Sequence, residues 1–341
     1  MRGFGFAFLS LIICLPSAGE EAEVSTGAYY YPWYHSDGRH WDEGYEGETK
    51  GLEPALGQYS SRSESTIRQH IKWSQSLGID HWICSWWGPQ SWEDVTLHNH
   101  VIPQLEGNEA GSGTESAAAP KFCIFYESGG LLGLDPVNGI DFDSPGVTTK
   151  FPDHFRYLAR TYFAHPQYLK IDGKPVVYLY LSRTFSGDYS LAITRARTAA
   201  EAHGFGLFLI GDEVYWGGPD EERIQQFDAI TSYNMHGPEE FSGLKDWSIF
   251  VERCEGVYQR YRDIASGLSV GFIPGVMPGF DSREASGKHY PIPRSIYPSF
   301  SQMAIRQIDP ELNVIAITSF NEWHEGTQLE PRANESLPVL P

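Results

Sequence analysis

Short apolar or aromatic runs alternate along this chain with stretches whose apolar residues return at helical spacing. Eight runs have the length and the β-branched or aromatic content of buried strands. They are AYYYPWY from Ala28, DHWICSWW from Asp80, KFCIFYE from Lys121, PVVYLYL from Pro175, GLFLIGDE from Gly206, AITSYNM from Ala229, SVGFIPGVMPG from Ser269 and NVIAITSFNE from Asn313. Between them, Ile67, Ile71 and Leu77 form one apolar stripe that stops at Gly78. Trp247, Phe250, Val251, Cys254, Tyr258, Tyr261 and Ile264 form a longer one that stops near Gly267. Strand and helix alternating eight times predict an α/β protein built as a closed parallel (β/α)8 TIM barrel. An open, doubly wound sheet is the rival, but no glycine-rich phosphate loop follows the first run.

Polar and aromatic residues gather at the carboxyl ends of the runs: Glu127, Asp212, Glu213, Tyr233, Asn234, Asn321 and Glu322. In a barrel those ends converge on the face where active sites are built. Two segments break the alternation. GNEAGSGTESAAAP from Gly107 is small and polar, and is expected to be a surface loop before the third strand. After Glu330 only a short tail remains, so the last helix is expected to be irregular or missing.

The amino terminus changes the expected compartment. MRGFGFAFLSLIICLPSAGEE has a basic start at Arg2, an apolar run from Phe4 to Leu15, and small residues at Ser17, Ala18 and Gly19. This is the pattern of a signal peptide, too short to span a bilayer. The expected organisation is therefore a signal peptide over 1–19 and a single barrel domain over 20–341, secreted or periplasmic, with no membrane insertion. Cys14 would leave with the signal. Of the remainder, Cys84 and Cys123 lie in apolar runs, and with Cys254 they suit buried free thiols better than a disulfide framework.

A formal net charge of −19 argues against nucleic acid or anionic membrane as partner, because both are bound through clustered Lys and Arg. A neutral glycan fits that charge. The 10 Trp, 19 Tyr and 19 Phe either fill a core or supply flat faces for a sugar to stack on. The oligomeric state is not legible.

The densest chemistry is SFNEWHEGTQLE, from Ser319 to Glu330. Two carboxyl groups at a barrel mouth, Glu322 and Glu325, suit acid/base work on a glycosidic oxygen. Were the strand to continue, they would stand ~10 Å apart on opposite faces. If the chain curls after Glu322, as Gly326 permits, both can meet one ligand. His324 is followed by no second His at metalloprotease spacing, and His35 and His40 near Asp37 and Asp42 suit a polar loop better than a metal site. Neither a cofactor nor a metal is expected.

FNEWHEGTQLE, with YYYPWY at Tyr29, HW at His40, YSSR at Tyr59 and SWW at Ser85, resembles glycoside hydrolase family 99, the endo-acting α-mannosidases, and their barrel relatives. The likeness runs from about Tyr29 to Glu330. It implies a retaining hydrolase in which the sugar's own 2-hydroxyl attacks the anomeric carbon, among the exceptions to the two-carboxylate scheme. By the same resemblance, Glu322 is the base that assists this hydroxyl and Glu325 the acid that protonates the leaving oxygen. It also implies a substrate-binding set: Glu127 near the reacting sugar, Trp87 at the subsite beyond the cleaved unit, Tyr31 and Tyr233 touching sugar, and Asn321 and Trp323 holding the glutamates.

The sequence also departs from the family. Where the relatives carry a His-Ile-Glu-Pro-Tyr type run on the third strand, this chain has Phe125, Tyr126, Glu127, Ser128 and Gly129; where they have His before the paired tyrosines, it has Tyr29. The reaction type is thus better supported than the α-mannosidic substrate. A glycan-binding or glycosyltransferase-like relative on the same barrel is the alternative.

Overall fold

The computed structural model describes residues 24–41, 53–106, 118–237, 241, 243–281 and 291–338. The expected signal peptide, Asp42 and most of the loop from Gly107 lie outside the described residues.

All eight expected runs contain strands of one parallel sheet. They are β1 Ser25–Tyr30, β2 His81–Trp86, β3 Lys121–Tyr126, β4 Lys174–Leu179, β5 Phe208–Asp212, β6 Ala229–Thr231, β7 in two pieces, Gly271–Ile273 and Gly275–Val276, and β8 Val314–Ile317. Neighbours in sequence are neighbours in the sheet from β1 to β7, and β8 pairs with β1 through Ser25↔Val314 to Ala28↔Ile317. Closure falls on β7. Its first piece pairs with β6 and its second with β8. Pro274, between them, has no N–H for the ladder, yet its carbonyl accepts from Ala316 N–H at 3.2 Å. A Cβ at Gly275 would come within 2.0 Å of the Ser232 carbonyl oxygen, so only glycine lets the strands approach this closely.

The strands are buried almost throughout, because side chains fill the barrel and helices cover it outside. Aromatics form the floor under the carboxyl ends. Tyr29 meets Phe125, Tyr178 and Tyr233 edge-on, with centroids 4.7, 5.9 and 5.0 Å away. Most of the aromatic residues therefore pack the core, whereas Trp87 at the rim is 38% exposed.

The helices follow their strands: α1 Glu64–Ser76, α2 over 92–106 with a π turn at Leu97–Val101, α3 Pro145–Thr161, α4 Tyr189–Glu201, the single turn α5 Glu221–Ile224, α6 Ser248–Gly267 and α7 Tyr297–Arg306. The Ser63 side chain caps α1 by accepting from Thr66 N–H, and Gly78 ends it at φ +66°. No helix follows β8 among the described residues. Instead Ala333 N–H donates to the Glu53 carbonyl and Ala55 N–H to that of Pro331, both at 2.9 Å, so the tail pairs with residues 53–55. Cys84, Cys123 and Cys254 are buried free thiols.

Candidate active site

After β8 the chain curls. The N–H of Glu322 turns back to the Ser319 hydroxyl at 2.8 Å, Gly326 N–H reaches the Trp323 carbonyl at 3.3 Å, and Thr327 N–H reaches the Glu322 carbonyl at 3.3 Å. Gly326 takes φ +64°, a conformation that disfavours a side chain. Glu322 and Glu325 are thus three residues apart on a turn, close enough for the charge of Glu325 to act on Glu322 and for both to act on Tyr31.

Glu322 is 2% exposed. Its Oε1 accepts from His324 N–H at 2.8 Å, and the His324 ring lies 3.7 Å from the same oxygen. Burial, then the charge of Glu325, hold its carboxyl well above the usual range; the His324 N–H pulls the other way. Glu325 is only partly buried, but the surrounding side chains desolvate its carboxyl enough to raise it as well, against a lowering hydrogen bond from Tyr233. Two acids that cannot easily ionise together share protons as a pair.

The tyrosines make a relay. Tyr233 Oη donates to Glu325 Oε2 at 2.9 Å and lies 2.5 Å from Tyr31 Oη. The backbone of Tyr233 is held at both ends: its N–H by Asp212 at 2.9 Å, its carbonyl by the Thr318 hydroxyl. Asp212 also accepts from Leu181 N–H at 3.0 Å and from Arg183. On the other side, Glu127 accepts from the Ser85 hydroxyl at 2.6 Å, and Ser85 accepts from Trp87 Nε1 at 3.0 Å. Burial, then the charges of Glu325 and Glu93, push Glu127 up to about 8, although the Ser85 bond lowers it.

Asn321 and Trp323 stand behind these groups. The Asn321 amide accepts from Tyr31 N–H at 2.7 Å and donates to the Tyr31 carbonyl at 3.0 Å, clamping the end of β1 to the turn after β8. Trp323 Nε1 donates to Glu330 Oε2 at 2.7 Å, and Tyr59 Oη donates to the same oxygen at 2.7 Å. His70 reaches Glu330 Oε1 at 3.2 Å. The anchoring part of this network, Glu330 with His70, went unrecognised in the sequence. Glu330 closes the quoted motif, but a lone histidine on the buried face of α1 carries no signal. His35 stacks on Trp92 at 3.5 Å and His40 on Trp33 at 4.7 Å. Among the described residues no three His, Cys, Asp or Glu side chains are grouped as metal ligands would be.

The mouth therefore holds a coupled carboxyl pair at one rim, a third buried carboxyl beside an exposed indole, and a chain of hydrogen-bonded tyrosines between. Residues 148–337 match the family described as Glycosyltransferase WbsX. The mouse glycoprotein endo-alpha-1,2-mannosidase is 25% identical over 354 residues, covering 89% of this chain and 67% of that protein. A solved glycoside hydrolase-like protein superposes with a TM-score of 0.70 at 19% identity, covering 92% of this chain and 89% of the other. The GH99 endo-alpha-mannosidase from Bacteroides thetaiotaomicron does so with a TM-score of 0.62 at 21% identity, covering 92% and 89%. With more than half of its length matched, the chain belongs to the family described as Glycosyltransferase WbsX, and it is a barrel enzyme of the glycoside hydrolase family 99-like group.

Proposed function

We propose that this protein is a retaining, endo-acting glycoside hydrolase that cleaves α-mannosidic linkages in a glycan or mannan. The observation that carries the reading is the curled turn after β8, which puts two desolvated carboxyl groups, Glu322 and Glu325, within electrostatic reach of each other and of Tyr31. In this reading Glu322 draws the proton from the sugar's 2-hydroxyl as that oxygen attacks the anomeric carbon, and Glu325 protonates the departing oxygen. The attack needs a 2-hydroxyl trans to the α-bond, as in an α-mannoside, so mechanism and substrate are linked. A raised Glu325 carboxyl holds its proton near neutral pH, as an acid catalyst must. Tyr31, Tyr233, Glu127 and Trp87 bind the sugar; Asn321 and Trp323 hold the turn.

The family's name favours glycosyl transfer as the second reading. The two differ in acceptor. Incubating purified protein with α-mannans and α-glucans, and identifying released products, tests the first: reducing-end oligosaccharides from mannan support it. Transfer only from an activated donor overturns it.

The apolar start from Phe4 to Leu15 supports export of the barrel domain over 20–341. Among the described residues no helix is long and apolar enough to cross a membrane. Full-length protein with Met1 retained in a membrane pellet would count against export.

A further inference from the structure

We propose that Ser85 is a positioning residue that ties the exposed indole of Trp87 to the buried carboxyl of Glu127, so that a sugar stacking on Trp87 is registered beside the reacting pair. With Glu127 ionised, the direction of the two bonds follows from proton counting. A serine hydroxyl has one proton, and at 2.6 Å from Glu127 Oε1 it is given to the carboxyl. The lone pairs that remain can only accept, and Trp87 Nε1–H, a pure donor, fills one at 3.0 Å. Ser85 is fully buried while Trp87 is 38% exposed, so two bonds lead from the rim to the interior. The ring is also fixed sterically: a Cβ at Gly130 would come within 2.1 Å of Trp87 Cζ3, so glycine there makes its seat. The adjacent Trp86 gives its own Nε1–H to Asp94 at 2.7 Å, on the opposite side of β2. Only Trp87 of the pair is wired to Glu127.

Glu127 is faced by Glu325 and Glu322 from the turn after β8, by Tyr31 just past β1, by Tyr180 just past β4 and by Glu93 from α2; His154 of α3 stands behind Gly88. When Glu127 is ionised, Ser85 donates to a full charge and its oxygen becomes a better acceptor for the indole. Protonation of Glu127 weakens both bonds. The indole N–H thus reports the carboxyl, and displacement of the ring by a ligand acts back on it. The assignment of Ser85 stands apart from the reaction; its consequence for catalysis rests on the proposed hydrolysis.

The test uses the full chain with 15N-labelled tryptophan, the Trp87 indole resonance being assigned by its loss in Trp87→Phe. Between pH 5 and 9 that resonance should show a step centred on the Glu127 carboxyl at about 8, beside any step passed on from Glu325 at about 7. The step near 8 should vanish in Glu127→Gln and in Ser85→Ala, and return in Ser85→Thr, which restores the hydroxyl. His154, lowered to about 4, lies outside this window. A Trp87 signal without the step near 8, or one that keeps it unchanged in Ser85→Ala, overturns the proposal. On a mannan fragment long enough to reach Trp87, Ser85→Ala and Trp87→Phe should each lower kcat/KM about 10-fold, and the double variant no further than the worse single one. Additive losses overturn the coupling. If no glycan is cleaved by any form, the hydrolase reading falls while the indole titration still decides the role of Ser85.

Discussion

Tyr233 gives its hydroxyl proton to Glu325 at 2.9 Å while Asp212 and Thr318 pin its backbone and Tyr29, Phe125 and Tyr180 pack its ring, so the proposed acid is oriented by a held side chain. A hydrogen bond donated to a carboxylate favours the ionised form. Deleting the Tyr233 hydroxyl therefore raises Glu325 further. In Tyr233→Phe, the alkaline limb of the pH–rate profile should move to higher pH, and kcat should fall about 10-fold as the acid loses its orientation. A limb that moves to lower pH would show that the bond supports the protonated acid instead.

Glu325→Gln separates the acid from the base. With no proton to give, the variant should lose hydrolysis of ordinary glycosides by about 100-fold or more. Substrates whose leaving group departs unprotonated should be largely spared. Stopped assays on an unactivated and an activated α-mannoside decide it; equal losses on both would move Glu325 out of the acid role.

Stability should respond to pH from both sides. Burial lowers His81 to about 4 from 6.5, so folding is favoured above about 6.5 and that contribution is lost as pH falls towards 4. Burial raises Glu127 to about 8 from 4.5, so its contribution is complete below 4.5 and is lost as pH rises through 8. Glu127→Gln removes the second titration. The melting temperature of the variant relative to wild type should therefore climb by about 2 °C or more between pH 5 and 9. A constant difference would mean that Glu127 titrates alike in the folded and unfolded chain.

The barrel was legible because buried parallel strands read as continuous apolar runs, and each of the eight overlaps a predicted run, although β1 starts before Ala28, at Ser25, and β4 before Pro175, at Lys174. The break at Pro274 lay inside the single run from Ser269, and nothing local says that its two halves face different neighbours. The hairpin entering β4 carried a signal that went unread: Asp172 and Gly173, at φ 50° and 74°, turn Lys170–Ile171 against Lys174 and Pro175. At the mouth, the motif after β8 named Glu322 and Glu325, and Gly326 foretold the curl. The supports were harder to see. Ser85 and Trp87 share a face by strand alternation, but the Glu127 they lead to lies 42 positions away. The link from Glu330 to His70 spans 260 positions, and only folding brings it together.

Glu322 bears the most specific prediction, because its proposed work is on the substrate's own nucleophile. Its carboxyl is almost wholly buried and receives the backbone N–H groups of His324 and Glu325, a setting that holds it in place but desolvates it, so it must be ionised before it can take the 2-hydroxyl proton. Raised carboxyls on both members of the pair give a bell-shaped profile: the acid limb marks ionisation of the pair's first proton, the alkaline limb loss of its last. Glu322→Gln should impair activated and unactivated substrates alike, since neither can form the internal ring without a base. The folded variant should still bind its glycan, because the lost charge acts mainly on one hydroxyl. Product analysis by NMR should show retained configuration, and a 2-deoxy substrate should not be cleaved, its nucleophile being gone. Inverted product, or efficient cleavage of the 2-deoxy substrate, would defeat neighbouring-group attack and leave Glu322 to activate water in its place.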